Sequence, residues 1–394
     1  MQRTALLCWE AGSGSGHALA LLDIGRRLQA SGWRPIMAFP GDRLPPNFDP
    51  DGMTLCAAPR WGEGAAALNR TTRSSASLGD SLAQIGLQSA EWVRRQIDRW
   101  HRLFAEYLPD LIVADYAPGA VLAARGRVPC IACGVGFTVP PANLQRFPPL
   151  HDTAAPLYDE AAICATVNSA LAESGTPPIA FLAEALTGDV QCVCTLPLLD
   201  PYDAFRSEPV LGPRLDAPIV RRDPDADEIF CYLREAPQSS RLDEFAACLC
   251  DLPGRVVAYV PGLSEASTAR LSRYGIKVLD GPAPLAAQLS RSRLAIHFGG
   301  HGVAAAALLA GVPQIILSFD IEKLLIATAL VQRGVAQRFD YNQASMESVI
   351  AAALTALANP AQAAEADRAA REQDRYRNRD VGSEIAATCL RLAA

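Results

Sequence analysis

The sequence predicts an α/β protein of two domains built on parallel sheets, and three observations carry that reading. The chain has 394 residues, too many for one ordinary core, so two domains are the default. Short apolar runs alternate with longer segments of helical periodicity, the pattern of strands joined by crossover helices. Hydrophobic residues make up 50% and charged residues 20%, the balance of a globular chain.

The elements follow in order. Thr4–Trp9 is an apolar strand that runs into the loop Glu10-Ala11-Gly12-Ser13-Gly14-Ser15-Gly16. A helix is expected over 17–31, with Ala18, Leu21, Leu22 and Leu28 on its apolar side and Gly32 at its end. A second strand is expected over 35–39. Residues 62–107 read as amphipathic helix, with Trp92, Ile97, Leu103 and Phe104 on one side. Leu111–Asp115 and Cys130–Gly134 are further strands, and 190–196 closes the first domain. Prolines and charges crowd 197–228, which reads as a linker region. Strands resume over 229–233, 255–260, 276–279 and 294–297. Gly299-Gly300-His301-Gly302 then opens an alanine-rich helix, and Gly311-Val312-Pro313 leads to a strand over 314–319. The expected domains are 1–205, a linker 206–228, a second domain 229–370 and a terminal helix over 371–394.

Several function classes are excluded at this level. Net charge is −6 with no basic run, so no nucleic-acid footprint is present. No window reaches the ~18 apolar residues of a membrane span, and residues 1–9 do not read as a signal peptide. A cytoplasmic protein without a transmembrane segment is the expectation. Eleven cysteines in so long a chain do not form a secreted disulfide framework. Cys192/Cys194 and Cys248/Cys250 lack the second pair or histidine of a zinc site, so reduced, buried thiols are expected. The Asp-x-Asp triplets at 49/51, 223/225 and 225/227 fall in turn-like stretches, so no metal site is assigned. The loop at 10–17 mimics a dinucleotide fingerprint. Its third glycine position is His17, however, and the second strand ends in Phe39 without an acidic residue for a ribose.

The remaining chemistry lies in two loops and one strand end. Strand, glycine turn and helix start at 294–303 make an anion site, because glycines let the backbone come close and the first helical N–H groups point outward. His301 stands at that helix start and can donate to a phosphate oxygen. His297 reads as a satisfied strand-end residue. Glu322 and Lys323, at the start of the following helix, can bond hydroxyls or a charged sugar. In the first half, His17 opens a helix, where the dipole lowers an imidazole pKa and keeps it a base. Asp115 ends a strand, at the edge where α/β ligands bind.

The stretch 294–339 resembles the nucleotide-diphosphate signature of UDP-glycosyltransferase-like enzymes of family-one type, whose GT-B architecture has two Rossmann-like domains with parallel sheets facing across a cleft. His297, Gly299, Gly300, Gly302, Leu308, Gly311, Val312, Pro313 and Ala327 fall in register with it. Phe298 stands where the family has a phosphate-binding histidine, Val303 replaces a Ser/Thr, and Ala306 replaces the ribose-binding Glu. Glu322-Lys323 replaces the sugar-binding Asp-Gln, and Ile326 replaces an Asn. The resemblance implies a hexosyltransferase-type glycosyltransferase, inverting and metal-independent, with no cofactor and a nucleotide-diphosphate sugar of UDP or dTDP type as donor. It implies that His17 is the general base and Asp115 its orienting partner. The donor-binding set would be Gly14, Gly16, Gly299, Gly300, His301, Gly302, Val303, Glu322 and Lys323. The loop 133–141 would face the acceptor, a small molecule, lipid or peptide, and the terminal helix would cross back to the first domain. A monomer or homodimer is expected. Loss of polar donor contacts leaves two other readings open: an inactive GT-B auxiliary partner of another transferase, or a sugar-nucleotide epimerase or hydrolase.

Overall fold

The computed structural model describes residues 2–12, 16–41, 44, 48–61, 75–150, 155–236 and 240–393. The chain divides into two compact units. One comprises 1–194, 201–211 and 380–394, the other 195–200 and 212–379. The connecting region is thus shared between the units, and the return to the first unit starts at Asp380.

The first unit is a six-stranded parallel sheet in the order β3-β2-β1-β4-β5-β6. Its strands are β1 (Thr4–Trp9), β2 (Arg34–Phe39), β3 (Thr54–Ala57), β4 (Leu111–Asp115), β5 (Cys130–Gly134) and β6 (Val190–Val193). Every residue of β1 and β4 is buried, because crossover helices cover both faces of a parallel sheet and apolar side chains must serve both. Helix α1 (Gly16–Ala30) follows β1, α2 (Ala90–Tyr107) precedes β4, and α3 (Pro118–Ala124) follows it. Ser89 caps α2 by accepting from the Trp92 N–H at 3.3 Å, and Trp92, Val93, Ile97, Trp100 and Phe104 form its buried side. Residues 62–74, the front of the helix expected over 62–107, lie outside the described residues. Within 78–87 there is only a short helix and a π-turn broken at Gly86.

The second unit repeats the layout, with sheet order β12-β11-β10-β7-β8-β9. The strands are β7 (Glu228–Tyr232), β8 (Arg255–Tyr259), β9 (Lys277–Val278), β10 (Ser292–His297), β11 (Gln314–Ser318) and β12 (Ala336–Asp340). Helix α4 (His301–Ala310) follows β10, and α5 (Ile321–Gln332) follows β11. From Val303 to Ala310 α4 is wholly buried. Its alanines let it lie close to the sheet on one side and to neighbouring helices on the other. Gly311 ends it in the left-handed region at φ 77°, as a helix C-terminus prefers.

Helix α6 (Val381–Leu392) closes the first unit. Val381, Ile385 and Cys389, four residues apart, join the core formed with Leu21, Ile24 and Leu28 of α1. Arg27 fastens the contact, donating to Asp380 at 3.0 Å and to the Ser383 hydroxyl. All eleven cysteines are free thiols, and Cys192 and Cys194 sit in that same core. The Asp-x-Asp triplets at 49/51 and 223/225 are turns in which the first carboxylate accepts from the backbone N–H two residues on, at 2.8 and 2.9 Å. No helix of the described residues is long and apolar enough to cross a membrane.

Both sheets therefore share one strand order, and each reverses direction once: between β1 and β4, and between β7 and β10. Ligands of α/β sheets bind outside the carboxyl ends of the strands flanking such a point.

Candidate functional site

In the first unit, β1 and β4 are paired so that Trp9 lies beside Asp115. Asp115 ends β4 with its side chain 2% exposed, and its Oδ1 is 2.9 Å from Nδ1 of His17, whose side chain is 18% exposed. An ionised carboxylate can only accept, so Nδ1 carries a proton in this pair, and in the neutral ring the lone pair is on Nε2. The structure thus brings together two residues 98 positions apart. It also surrounds the imidazole. Trp9 stacks on it with centroids 5.3 Å apart, and Tyr116 lies 6.4 Å from it. Tyr116 holds the left-handed conformation at φ 47°, a costly one for a bulky residue and frequent at functional sites. The Ala11 N–H donates to the Tyr116 carbonyl at 3.0 Å, tying the two loops together.

Two glycines make room for the pair. A Cβ on Gly12 would lie 2.8 Å from Nε2 of His17, and one on Gly134 would lie 3.2 Å from Oδ1 of Asp115 and 2.5 Å from the Thr138 hydroxyl. Gly16 is the first residue of α1 and has nothing within 4 Å of its would-be Cβ. Gly14 lies outside the described residues.

Glu10, the residue after β1, is 2% exposed. Helix α3 begins after Ala117, which has no side chain to cap it. Glu10 supplies the acceptor instead, taking the Gly119 N–H at 2.7 Å and the Trp100 indole N–H. Burial pushes its carboxyl up to about 7, against these donors, which favour the ionised form.

In the second unit the glycine turn is shaped by its neighbours. His297 is fully buried at the end of β10. Its Nε2–H donates to Gln314 at 2.9 Å, and its Nδ1 accepts from the Gly299 N–H at 3.0 Å. Burial lowers its pKa to about 4, so the neutral ring holds the turn. Gly299 has φ +86°, and a Cβ there would meet Ile316 at 2.9 Å. A Cβ on Gly300 would meet the Phe298 ring at 2.8 Å, whereas Gly302 has open space. Gly300 is the N-cap of α4, and no side chain caps this end. The N–H groups of His301, Gly302 and Val303 therefore have no acceptor within the helix, while Asp320 caps α5 by accepting from the Lys323 N–H at 3.0 Å.

The residues expected to bind a donor divide. His301 shares a 2.8 Å hydrogen bond with the Thr195 hydroxyl, and its pKa falls to about 4 through burial and the nearby Arg214 charge. Val303 offers its backbone only, since its side chain is 3% exposed. Glu322 lies half-buried in the first turn of α5. Lys323 does not present its ammonium as expected. It is 6% exposed, bonded to Asp320 at 2.6 Å and laid over the Phe319 ring. The apolar replacements at Ala306 and Ile326 are buried too.

Sequence reasoning did not single out Trp9, Glu10, Gly12 or Gly134. A usable signal existed: each stands at or just beyond the carboxyl end of an apolar strand.

Residues 246–392 match the family model described as Erythromycin biosynthesis protein CIII-like, C-terminal domain. No curated protein matches the sequence. Among solved structures, the calicheamicin glycosyltransferase CalG4 is 18% identical, with a TM-score of 0.69 over 99% of this chain and 98% of that one. The spinosyn rhamnosyltransferase SpnG is 18% identical, with a TM-score of 0.67 over 99% of this chain and all (100%) of that one. SpnG has also been solved with thymidine diphosphate, at 19% identity and a TM-score of 0.62 over 98% of this chain and 100% of that one. At these identities the likeness establishes the fold.

Proposed function

We propose, for a chain that is UDP-glycosyltransferase-like and has the GT-B architecture, that it transfers a sugar from a nucleotide-diphosphate donor to an acceptor nucleophile. The observation that carries this reading is the 2.9 Å pairing of His17 with Asp115 at the reversal point of the first sheet. Nε2 of His17 takes the proton of the acceptor hydroxyl or amine as it attacks the anomeric carbon. Asp115 holds the ring's orientation and stabilises the imidazolium that forms. The bond from the anomeric carbon to the diphosphate oxygen breaks in the same step, so the configuration inverts. Charge builds on the departing diphosphate, and the uncapped N–H groups of 301–303 with the α4 dipole are suited to receive it. No metal or cofactor enters this mechanism.

The donor is of UDP or dTDP type, a choice supported by the thymidine diphosphate bound in SpnG. The acceptor is a small molecule resembling an aglycone, a class supported by the spinosyn aglycone complex of SpnG. A thermal-unfolding screen with UDP, dTDP and GDP tests the proposal. A ligand at 100 times its Kd adds about 2.7 kcal/mol of stability, so UDP or dTDP should raise the midpoint. No rise with any of the three overturns the reading.

A further inference from the structure

The signature position of the family's phosphate-binding histidine is Phe298 in this chain. What surrounds Phe298 indicates what has taken over. Tyr259, Tyr232, Phe298, Phe319 and Tyr341 follow the sheet order β8-β7-β10-β11-β12, each at or just past its strand's carboxyl end. Successive ring centroids are 5.1, 5.1, 6.2 and 6.0 Å apart, so the rings form one row along the ligand-binding edge.

Arg234 stands on that row, two residues past the end of β7. Its guanidinium carbon is 5.5 Å from the Phe298 ring centroid and 5.9 Å from that of Phe319. A Cβ on Gly300 would lie 2.8 Å from the Phe298 ring, so one ring borders both this cation and the glycine turn. Strands β7 and β10 flank the reversal point of the second sheet. Their ends therefore correspond to those of β1 and β4, which carry His17 and Asp115.

Among the described residues, the carboxylates next to Arg234 and next to Phe319 have other partners. Glu235 accepts from the backbone of Arg241 and Leu242 and from the Tyr341 hydroxyl. Asp320 is bonded to Lys323. Among the described residues no carboxylate pairs with Arg234, which is half-buried. Ring faces offset part of the cost of burying a cation. They leave the N–H donors, which lie in the guanidinium plane, available to an anion.

We propose that Arg234, seated on Phe298 and Phe319, binds the diphosphate of the nucleotide donor in place of the missing imidazole. Phe298 is then one half of a substituted device, a platform for a guanidinium. The proposal rests on the sugar-transfer reading above, and the test separates the two. Calorimetric titration of the full chain with UDP and dTDP, and with uridine and thymidine, is carried out on wild type, Arg234→Met, Arg234→Gln and Arg234→Lys. Loss of a charge-assisted contact weakens binding about 10- to 100-fold. The Met and Gln variants should show that loss for the diphosphates and less than about a threefold change for the nucleosides, with Lys intermediate. Unliganded melting midpoints within about 2 °C of wild type in at least one neutral variant establish that the fold is intact. Equal diphosphate affinity in wild type and that variant overturns the proposal alone. So does an equal loss for nucleosides, which marks a structural role. Wild type that binds none of the nucleotides overturns the sugar-transfer reading together with this one.

Discussion

The two sheets share a strand order, yet the loops at their reversal points have diverged in opposite ways. At β1/β4 the candidate groups are side chains: an imidazole on a carboxylate, with Trp9 and Tyr116 beside it. At β10 they are backbone: a turn held by the neutral ring of His297, followed by a helix end without a side-chain cap. Around that backbone, positions that are polar in the UDP-glycosyltransferase signature the sequence resembles carry buried apolar residues, at Phe298, Val303, Ala306 and Ile326. The difference teaches where substitution is tolerable. An N–H fan survives any side chain that leaves the main chain in place, and a proton transfer does not survive loss of its imidazole.

The contrast is most exposed at His17. Replacing it with alanine should lower turnover by about 10²- to 10⁴-fold, the usual worth of a general base, with nucleotide affinity unchanged. Asp115→Asn should give a smaller loss and shift the pH–rate profile, since the ring loses the partner that stabilises its charged form. Turnover by His17→Ala within a factor of about three of wild type would remove side-chain chemistry from the first unit and erase the distinction.

Glu10 sharpens the comparison through pH, because it is the buried carboxyl that ties the first unit's loops together. Its folded pKa of about 7 lies above the unbound value of 4.5. The native state therefore holds a proton that the unfolded state has released. Stability is fully present below about pH 4.5 and declines as pH rises through 7, by about 3 kcal/mol in all. Glu10→Gln cannot ionise, so its unfolding free energy should lose this decline. Chemical denaturation of both proteins between pH 4.5 and 8 measures it. Parallel profiles would mean that the donors around Glu10 outweigh its burial.

The His17–Asp115 pair was legible because each member ends a short apolar strand or opens the helix beyond one, and such boundaries are strong signals. The glycine turn was legible for the same reason. Edge strands β3 and β12 were not, since β3 is mostly exposed, β12 is half-exposed, and both lack the continuous apolar run of a central parallel strand. The role of Lys323 was illegible for another reason. A lysine in a first helical turn looks solvent-facing, and only the fold reveals Asp320 and Phe319 converging on its ammonium. Arg234 and Glu10 are intermediate: each stands just past the carboxyl end of an apolar strand, a local signal, but their partners are distant in sequence and only the fold reveals them.

The smallest effects test whether the turn's glycines serve packing or access. Gly299→Ala must place a side chain at φ +86° and within 2.9 Å of Ile316, which should destabilise the protein by about 2 kcal/mol. Gly302→Ala meets nothing within 4 Å and sits inside α4, where alanine limits the unfolded chain more than glycine does. It should stabilise by about 0.4–1 kcal/mol. Opposite signs in denaturant midpoints would mean that Gly299 is held by the fold of its own unit, while nothing in that unit requires glycine at 302. Equal losses would mean that the open space beside Gly302 is closed in solution, and the backbone fan at the start of α4 would then be shut to a phosphate.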